Sequence, residues 1–194
     1  DIVVIQNPKK IVEKELKNYN FGVDIKYAIQ PQPKGMGNAL IRVQELIRGP
    51  FFALHAHKIN AGDYVKAMTG KLGKTKKGLI FLGFKTDQPW LYGILKIKGG
   101  KIKELIEKPE RGKEPSNIMV AGVYLLPLIF FDYYKRVQER QYSFEDALNL
   151  FIKENGAKAV MGEKELTSLK YPWHLFEINE YLMDKYLKKG EVRF

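Results

Sequence analysis

Apolar and polar positions along this chain keep changing period, from two residues to about 3.6, and each change marks a switch between strand and helix. Residues 2–5 (IVVI) are a short β-branched run, and residues 8–17 then place Ile11, Val12 and Leu16 at helical spacing with a proline near the start. Residues 23–29 (VDIKYAI) alternate like a strand. PQPKG punctuates, and residues 38–48 put Ala39, Leu40, Val43, Leu46 and Ile47 on one helical face. PFFAL predicts the next strand, residues 62–69 a short helix, and residues 79–84 (LIFLGF) another buried strand.

The middle breaks that rhythm. LYGILKI and KIKELIEKP flank Gly99 and Gly100, a turn signal between alternating runs, so residues 91–107 predict a hairpin. A strand over 117–126 (NIMVAGVYLL) follows, then helices over 128–139 and 143–155, a strand over 157–162 and a last helix over 171–188. There is no repeat, linker or low-complexity stretch. Alternating βα units predict an α/β fold with a doubly wound, mainly parallel but mixed sheet, flanked by helices and carrying the hairpin as an antiparallel insertion.

Composition narrows the function classes. The 194 residues, 45% hydrophobic and 12% aromatic, suffice for one domain, 1–194, with a substantial core. No apolar run is long enough for a membrane span, and DIVVIQNPKK has neither a charged leader nor a small-residue cleavage site. The absence of cysteine excludes disulfides and thiolate chemistry and is compatible with a cytoplasmic protein. A net charge of +11 would attract phosphate. However, the lysines scatter through KNYNFGVDIK, KLGKTKK, KIKGGKIK and DKYLKKG, mostly beside turns and helix ends rather than interleaved with aromatics in one groove-forming segment, which argues against nucleic acid as partner. A basic pocket for small phosphorylated ligands fits the same charge.

The series QPQPKGMGNAL, LYGILKI, IEKPERG, SNIMVAGVYLL, YSFEDALNLFIKENG and YPWHLFEINEYL, in this order, resembles the sugar 1-phosphate nucleotidyltransferases, the nucleotide-sugar pyrophosphorylases. The resemblance implies their Rossmann-like nucleotide-diphospho-sugar transferase fold and transfer of a nucleotidyl group from an NTP to a sugar 1-phosphate, with Mg²⁺ and release of pyrophosphate. It implies an NTP, a sugar 1-phosphate and a nucleotide sugar as partners, with a homo-oligomer possible. Gln30 then matches the glutamine that meets the base, and Gly35 the glycine that lets backbone approach it. An amide offers a donor and an acceptor, suited to a pyrimidine edge, and glycine has no Cβ to hold the base away. Tyr92 and Gly93 match the segment whose backbone meets the sugar. Glu107, Lys108 and Asn117 match the residues that hold sugar hydroxyls and phosphate, by accepting from hydroxyls, supplying a point charge, or either. Without the series, PQPKG would read as a surface turn and Glu107-Lys108 as a solvated charge pair.

Three departures stand against the resemblance. Where relatives carry a metal-binding aspartate after this strand, LHAH places His57, and Ser168 stands at the position of a second acid before YPWHL; His174 also replaces an acid. Mg²⁺ takes carboxylate, carbonyl and water oxygens, whereas imidazole suits zinc, copper or nickel. Weakened Mg²⁺ binding is therefore expected, with Lys58 and Lys170 able to replace part of the metal's charge. His55 and His57 share a strand face, which makes a transition-metal site with His174 a minor alternative to ordinary polar residues at a strand end. The third departure is the lack of a glycine-rich GGxGTR-like loop, so the domain is expected to lack its amino-terminal phosphate-loop segment or to receive it from a separate piece. Two functions follow as expectations: the family's transfer reaction, or a catalytically degenerate relative that binds a nucleotide sugar or regulates a partner.

Overall fold

The structure, a computed structural model, describes residues 1–73, 77–163 and 168–187. In chain order it runs β1 (Ile2–Gln6), α1 (Ile11–Leu16), β2 (Ile25–Ile29), α2 (Met36–Ile41), β3 (Phe51–Leu54), α3 (Val65–Leu72), β4 (Ile80–Lys85), β5 (Gly93–Lys98), β6 (Lys101–Glu107), β7 (Ile118–Leu126), α4 (Phe130–Lys135), α5 (Ser143–Asn155), β8 (Lys158–Met161) and α6 (His174–Tyr186). Short 3-10 turns lie at Gln44–Leu46, Ala61–Tyr64 and Pro89–Leu91. Residue 188 of the expected last helix and part of the lysine-rich KLGKTKK lie outside the described residues.

β7 organises the larger sheet. β4 runs antiparallel along one side of it, Ile80 opposite Leu125 and Lys85 opposite Ile118. The other side is shared: β3 takes the carboxyl half of β7, Leu54 opposite Val123, and β5 takes the amino half, Ile94 opposite Met119. β6 extends the sheet beyond β5 as the expected hairpin, and β8 extends it beyond β4 in parallel. The fold is thus α/β with a mixed sheet. β3, β4, β5 and β8 share one direction, yet most hydrogen-bonded neighbours are antiparallel because the reversed β7 sits among them. β1 and β2 form a separate two-stranded parallel ladder.

Period-two burial builds the layers. Phe81, Leu95, Val120, Tyr124 and Leu126 face α4 and α5 through Phe130, Phe131, Phe144, Leu148 and Phe151. The alternate positions Ile80, Leu82, Ile94, Met119, Val123 and Leu125 face Met68 and Leu72 of α3. Buried on both faces, β4 and β7 read as the near-continuous apolar runs LIFLGF and IMVAGVYLL.

Several helices are shorter than their patterns. The face expected over 38–48 divides into α2 and the 3-10 turn, and Ile47 is already extended two residues before Gly49-Pro50. The helix expected over 128–139 shrinks to α4, and the one over 62–69 becomes a 3-10 turn followed by α3. Among the described residues no helix is long and apolar enough to cross a membrane.

Candidate functional site

A notch opens where β3 leaves β7 and β5 joins it. The last β3 pair is Leu54 with Val123 and the first β5 pair is Ile94 with Met119, so the residues after Leu54 and before Ile94 converge beside Ala121 and Gly122. Gly122 adopts φ +72° inside a strand, and a Cβ there would come within 3.4 Å of His55 Cδ2 and 3.9 Å of Lys58 Cε. These are ordinary contact distances, so it is the left-handed φ that calls for glycine at this point, where the HAHK segment meets the sheet centre.

On the hairpin side Gly93 lies directly opposite Glu107. A Cβ at position 93 would approach Glu107 Oε2 to 2.7 Å, so the carboxylate lies directly over Gly93, and a side chain there would turn it aside. Lys108, at φ +44°, donates its backbone N–H to Tyr92 O at 3.0 Å. Burial pushes the Glu107 carboxyl up, opposed by the Lys108 charge. Burial likewise raises Glu145 of α5, with the Glu107 charge adding to it, and raises the Tyr124 phenol, on which both carboxylates act. Glu107, Glu145 and Tyr124 share one field. Glu145 was not singled out from the sequence, and its place inside YSFEDALNLF was the only available signal.

The base-side residues are held separately. Gln30, at the carboxyl end of β2, donates through Nε2 to Gly35 O at 3.0 Å and to Asn38 Oδ1 at 3.1 Å. Asn38 Nδ2 in turn donates to Glu139 Oε1 at 2.7 Å. With both amide hydrogens engaged, Gln30 offers a ligand its Oε1, an acceptor. Gly35 has φ +91°, the left-handed region that favours glycine, and packs toward Gln141 O just before α5.

At the end of β3 the His55 and His57 rings stack 5.3 Å apart. Lys58 Nζ donates to Ser168 Oγ at 2.9 Å, and Leu169 N donates to His57 O at 3.0 Å, which stitches the lead into α6 onto this strand end. Desolvation lowers the pKa of His55, as do the charges of Lys58 and Lys170; for His57, desolvation comes first and His55, Lys58 and Lys170 add to it. His174 is turned elsewhere: its Nδ1 accepts from Lys170 N and Tyr171 N, at 3.1 and 3.3 Å, and its ring packs edge-on against Tyr171.

The structure therefore brings Tyr92, Gly93, Glu107 and Lys108 together and sets His57 and Ser168 on adjoining segments. Asn117 stands apart. It precedes β7, its carbonyl accepts from Thr86 N at 2.9 Å, and it lies three residues from the level of Gly93, roughly 10 Å along the strand. A cleft of about 1200 Å³ elsewhere, between β6 and α5, is lined by none of these residues.

Residues 1–173 match the Nucleotidyl transferase family. The chain belongs to the nucleotidyl transferase family. It is 29% identical over 159 residues to the UTP–glucose-1-phosphate uridylyltransferase AglF of Haloferax volcanii, covering 78% of this chain and 64% of that protein. It is 26% identical over 188 residues to the bifunctional protein GlmU of Methanocaldococcus jannaschii, covering 95% of this chain and 43% of that protein. The chain thus spans about half the length of such curated relatives. A crystal structure of a putative glucose-1-phosphate thymidylyltransferase from Bacillus anthracis, in complex with a sucrose, matches 100% of this chain and 78% of its own with TM-score 0.75 at 21% identity. UTP-bound UDP-glucose pyrophosphorylase from Acinetobacter baumannii matches 91% and 68% with TM-score 0.71 at 18% identity. These likenesses show the nucleotidyltransferase fold.

For a nucleotidyltransferase domain, the fit of the strand-end donors to Mg²⁺ can be tested on their chemistry. They are two imidazoles, a hydroxyl and two ammonium groups, and the ammonium charges already act on both imidazoles. Mg²⁺ requires hard oxygen ligands in an octahedron, and neighbouring cations oppose it. The set does not fit. Nor is the three-histidine alternative assembled, because His174 faces its own helix turn and, among the described residues, no group of three or more His, Asp or Glu is placed to hold a metal ion.

Proposed function

We propose that this chain serves sugar-phosphate nucleotidyl transfer by holding a pyrimidine nucleotide sugar along the carboxyl ends of β2 and β3 and the mouth of the β5–β6 hairpin. The observation that carries this reading is the Gln30 amide, whose hydrogens are tied to Gly35 and Asn38 so that an acceptor oxygen remains for the base. An acceptor pairs with the imide N–H of uracil or thymine. AglF and the Bacillus anthracis protein bear the names of uridylyl- and thymidylyltransferases, which supports the same bases. Glu107, lying over Gly93, would accept from sugar hydroxyls, and Lys108 beside it would meet a phosphate. Asn117, the remaining member of the set implied by the resemblance, would act through its backbone tie to Thr86 rather than on the sugar.

A second reading, a holder of nucleotide sugar without turnover, is favoured by His57 and Ser168 at the positions where acids were expected. Calorimetry with UDP-glucose, dTDP-glucose and GDP-mannose tests what the two readings share. The uracil or thymine ligand should bind, and Gln30→Ala and Lys108→Ala should each weaken it by on the order of tenfold. Binding of none of the three, or unchanged affinity in both variants, would overturn the assignment. Release of pyrophosphate from UTP and glucose 1-phosphate would then select transfer, and binding without release would select the holder.

A further inference from the structure

The cations at the end of β3 do not fit the metal that the resemblance implies, and that disagreement has a chemical reading of its own. Four groups able to donate to an anion meet within one short stretch. Lys58 is anchored by its bond to Ser168 Oγ, and His55 and His57 stack in parallel with a 12° interplanar angle. Lys170 arrives from the segment that Leu169 and Ser168 fasten to the strand. Lys58 and Lys170 both act electrostatically on both imidazoles, which puts all four groups within one field. Gly122, whose φ of +72° favours glycine, lies against His55 Cδ2 and Lys58 Cε at ordinary contact distance and so marks where the two residues meet the sheet centre.

Two ammonium groups beside imidazoles whose pKa values are lowered present positive charge together with neutral N–H donors, a combination that suits a multiply charged anion. Ammonium groups meet phosphate as point charges and imidazole N–H groups donate to its oxygens, so together they offer the neutralisation that a divalent cation otherwise brings. The place is also right. Ligands of open α/β sheets gather at the carboxyl ends of strands, and here β3 leaves β7 at its carboxyl end.

We infer that this chain binds a diphosphate group without a divalent cation, through a cradle formed by His55, His57, Lys58 and Lys170. The inference rests on the proposed function only for where the nucleoside and sugar lie; the anion site stands on its own groups.

Inorganic pyrophosphate and uridine, titrated separately by calorimetry, test the two parts independently. Pyrophosphate should bind in EDTA with an affinity within about twofold of that in excess Mg²⁺, because the donors belong to the protein. Lys170→Gln and Lys58→Gln should each weaken it by on the order of tenfold while leaving uridine binding unchanged. Pyrophosphate binding that appears only with Mg²⁺, or is absent under both conditions, overturns the inference. So does unchanged pyrophosphate affinity in Lys170→Gln. Should Lys58→Gln lose the native circular dichroism spectrum because its tie to Ser168 is structural, Lys170→Gln, on an exposed residue, decides alone. If uridine fails to bind while pyrophosphate binds as described, the base assignment of Gln30 falls and the cradle stands.

Discussion

Glu145 is the residue at which the electrostatics of the site bear most directly on stability. Its carboxyl is raised chiefly by burial and further by Glu107 and Asp146, while its own backbone N–H lowers it. A carboxyl raised in the folded state favours folding fully below its unfolded value near 4.5, and that contribution is lost as pH rises through the higher folded value. Glu145→Gln fixes the neutral form. Its melting temperature should exceed that of the parent by a few degrees at pH 7, and the difference should shrink toward zero near pH 4. Thermal melts across that range check it, and a difference that grows on acidification would reverse the assigned direction. Sequence could pair Gly93 with Glu107 through a recognisable series, but it could not find Glu145, Tyr124 or Gly122. Their roles depend on carboxylates and side chains brought from distant segments, and no local spacing records those approaches.

At the scale of elements, the edge of β6 is met at Leu105 by a side chain of α5. Asn149 of α5 accepts from Leu105 N at 2.7 Å and donates to Leu105 O at 2.9 Å, copying the pairing a further strand would make. Asn149→Ala leaves both backbone groups without that partner and removes part of the tie between α5 and the hairpin. It should cost about 1–3 kcal/mol, seen as a lower denaturation midpoint in urea with an unchanged slope. A midpoint equal to the parent's would mean that water replaces the amide without loss. The hairpin itself was legible, because Gly99-Gly100 between two alternating runs is a local signal. The lengths of α2 and α4 were not. Their apolar spacing continues beyond the last helical turn because the same side chains still face the core after the backbone has left the helix, as Val43 does at 2% exposure.

For the whole molecule, the periodicity identified nearly every strand yet left their order open, since a strand buried on both faces looks the same wherever it lies in a sheet. The mixed character was expected from the hairpin. The central place of β7, antiparallel to three neighbours, follows from long-range pairing that sequence does not encode locally. The same arrangement divides the molecule into regions of unequal stability. β4 and β7 carry fully buried side chains such as Ile80, Phe81, Leu82 and Leu126 and have hydrogen-bonded neighbours on both sides. Among the described residues β1 and β2 pair only with each other, five residues against five, and Ile2 is 47% exposed. Two strands alone are marginal in water, and local opening follows the least buried units. Amides of Ile2–Gln6 and Ile25–Ile29 should therefore exchange with deuterium at least about tenfold faster than those of β4 and β7. Uridine bound at Gln30, which is the residue directly after β2, should slow the β2 amides selectively, because a ligand held there must be released before the ladder opens. Equal protection of the two sheets without ligand would show that the small ladder is held by more than its own pairing.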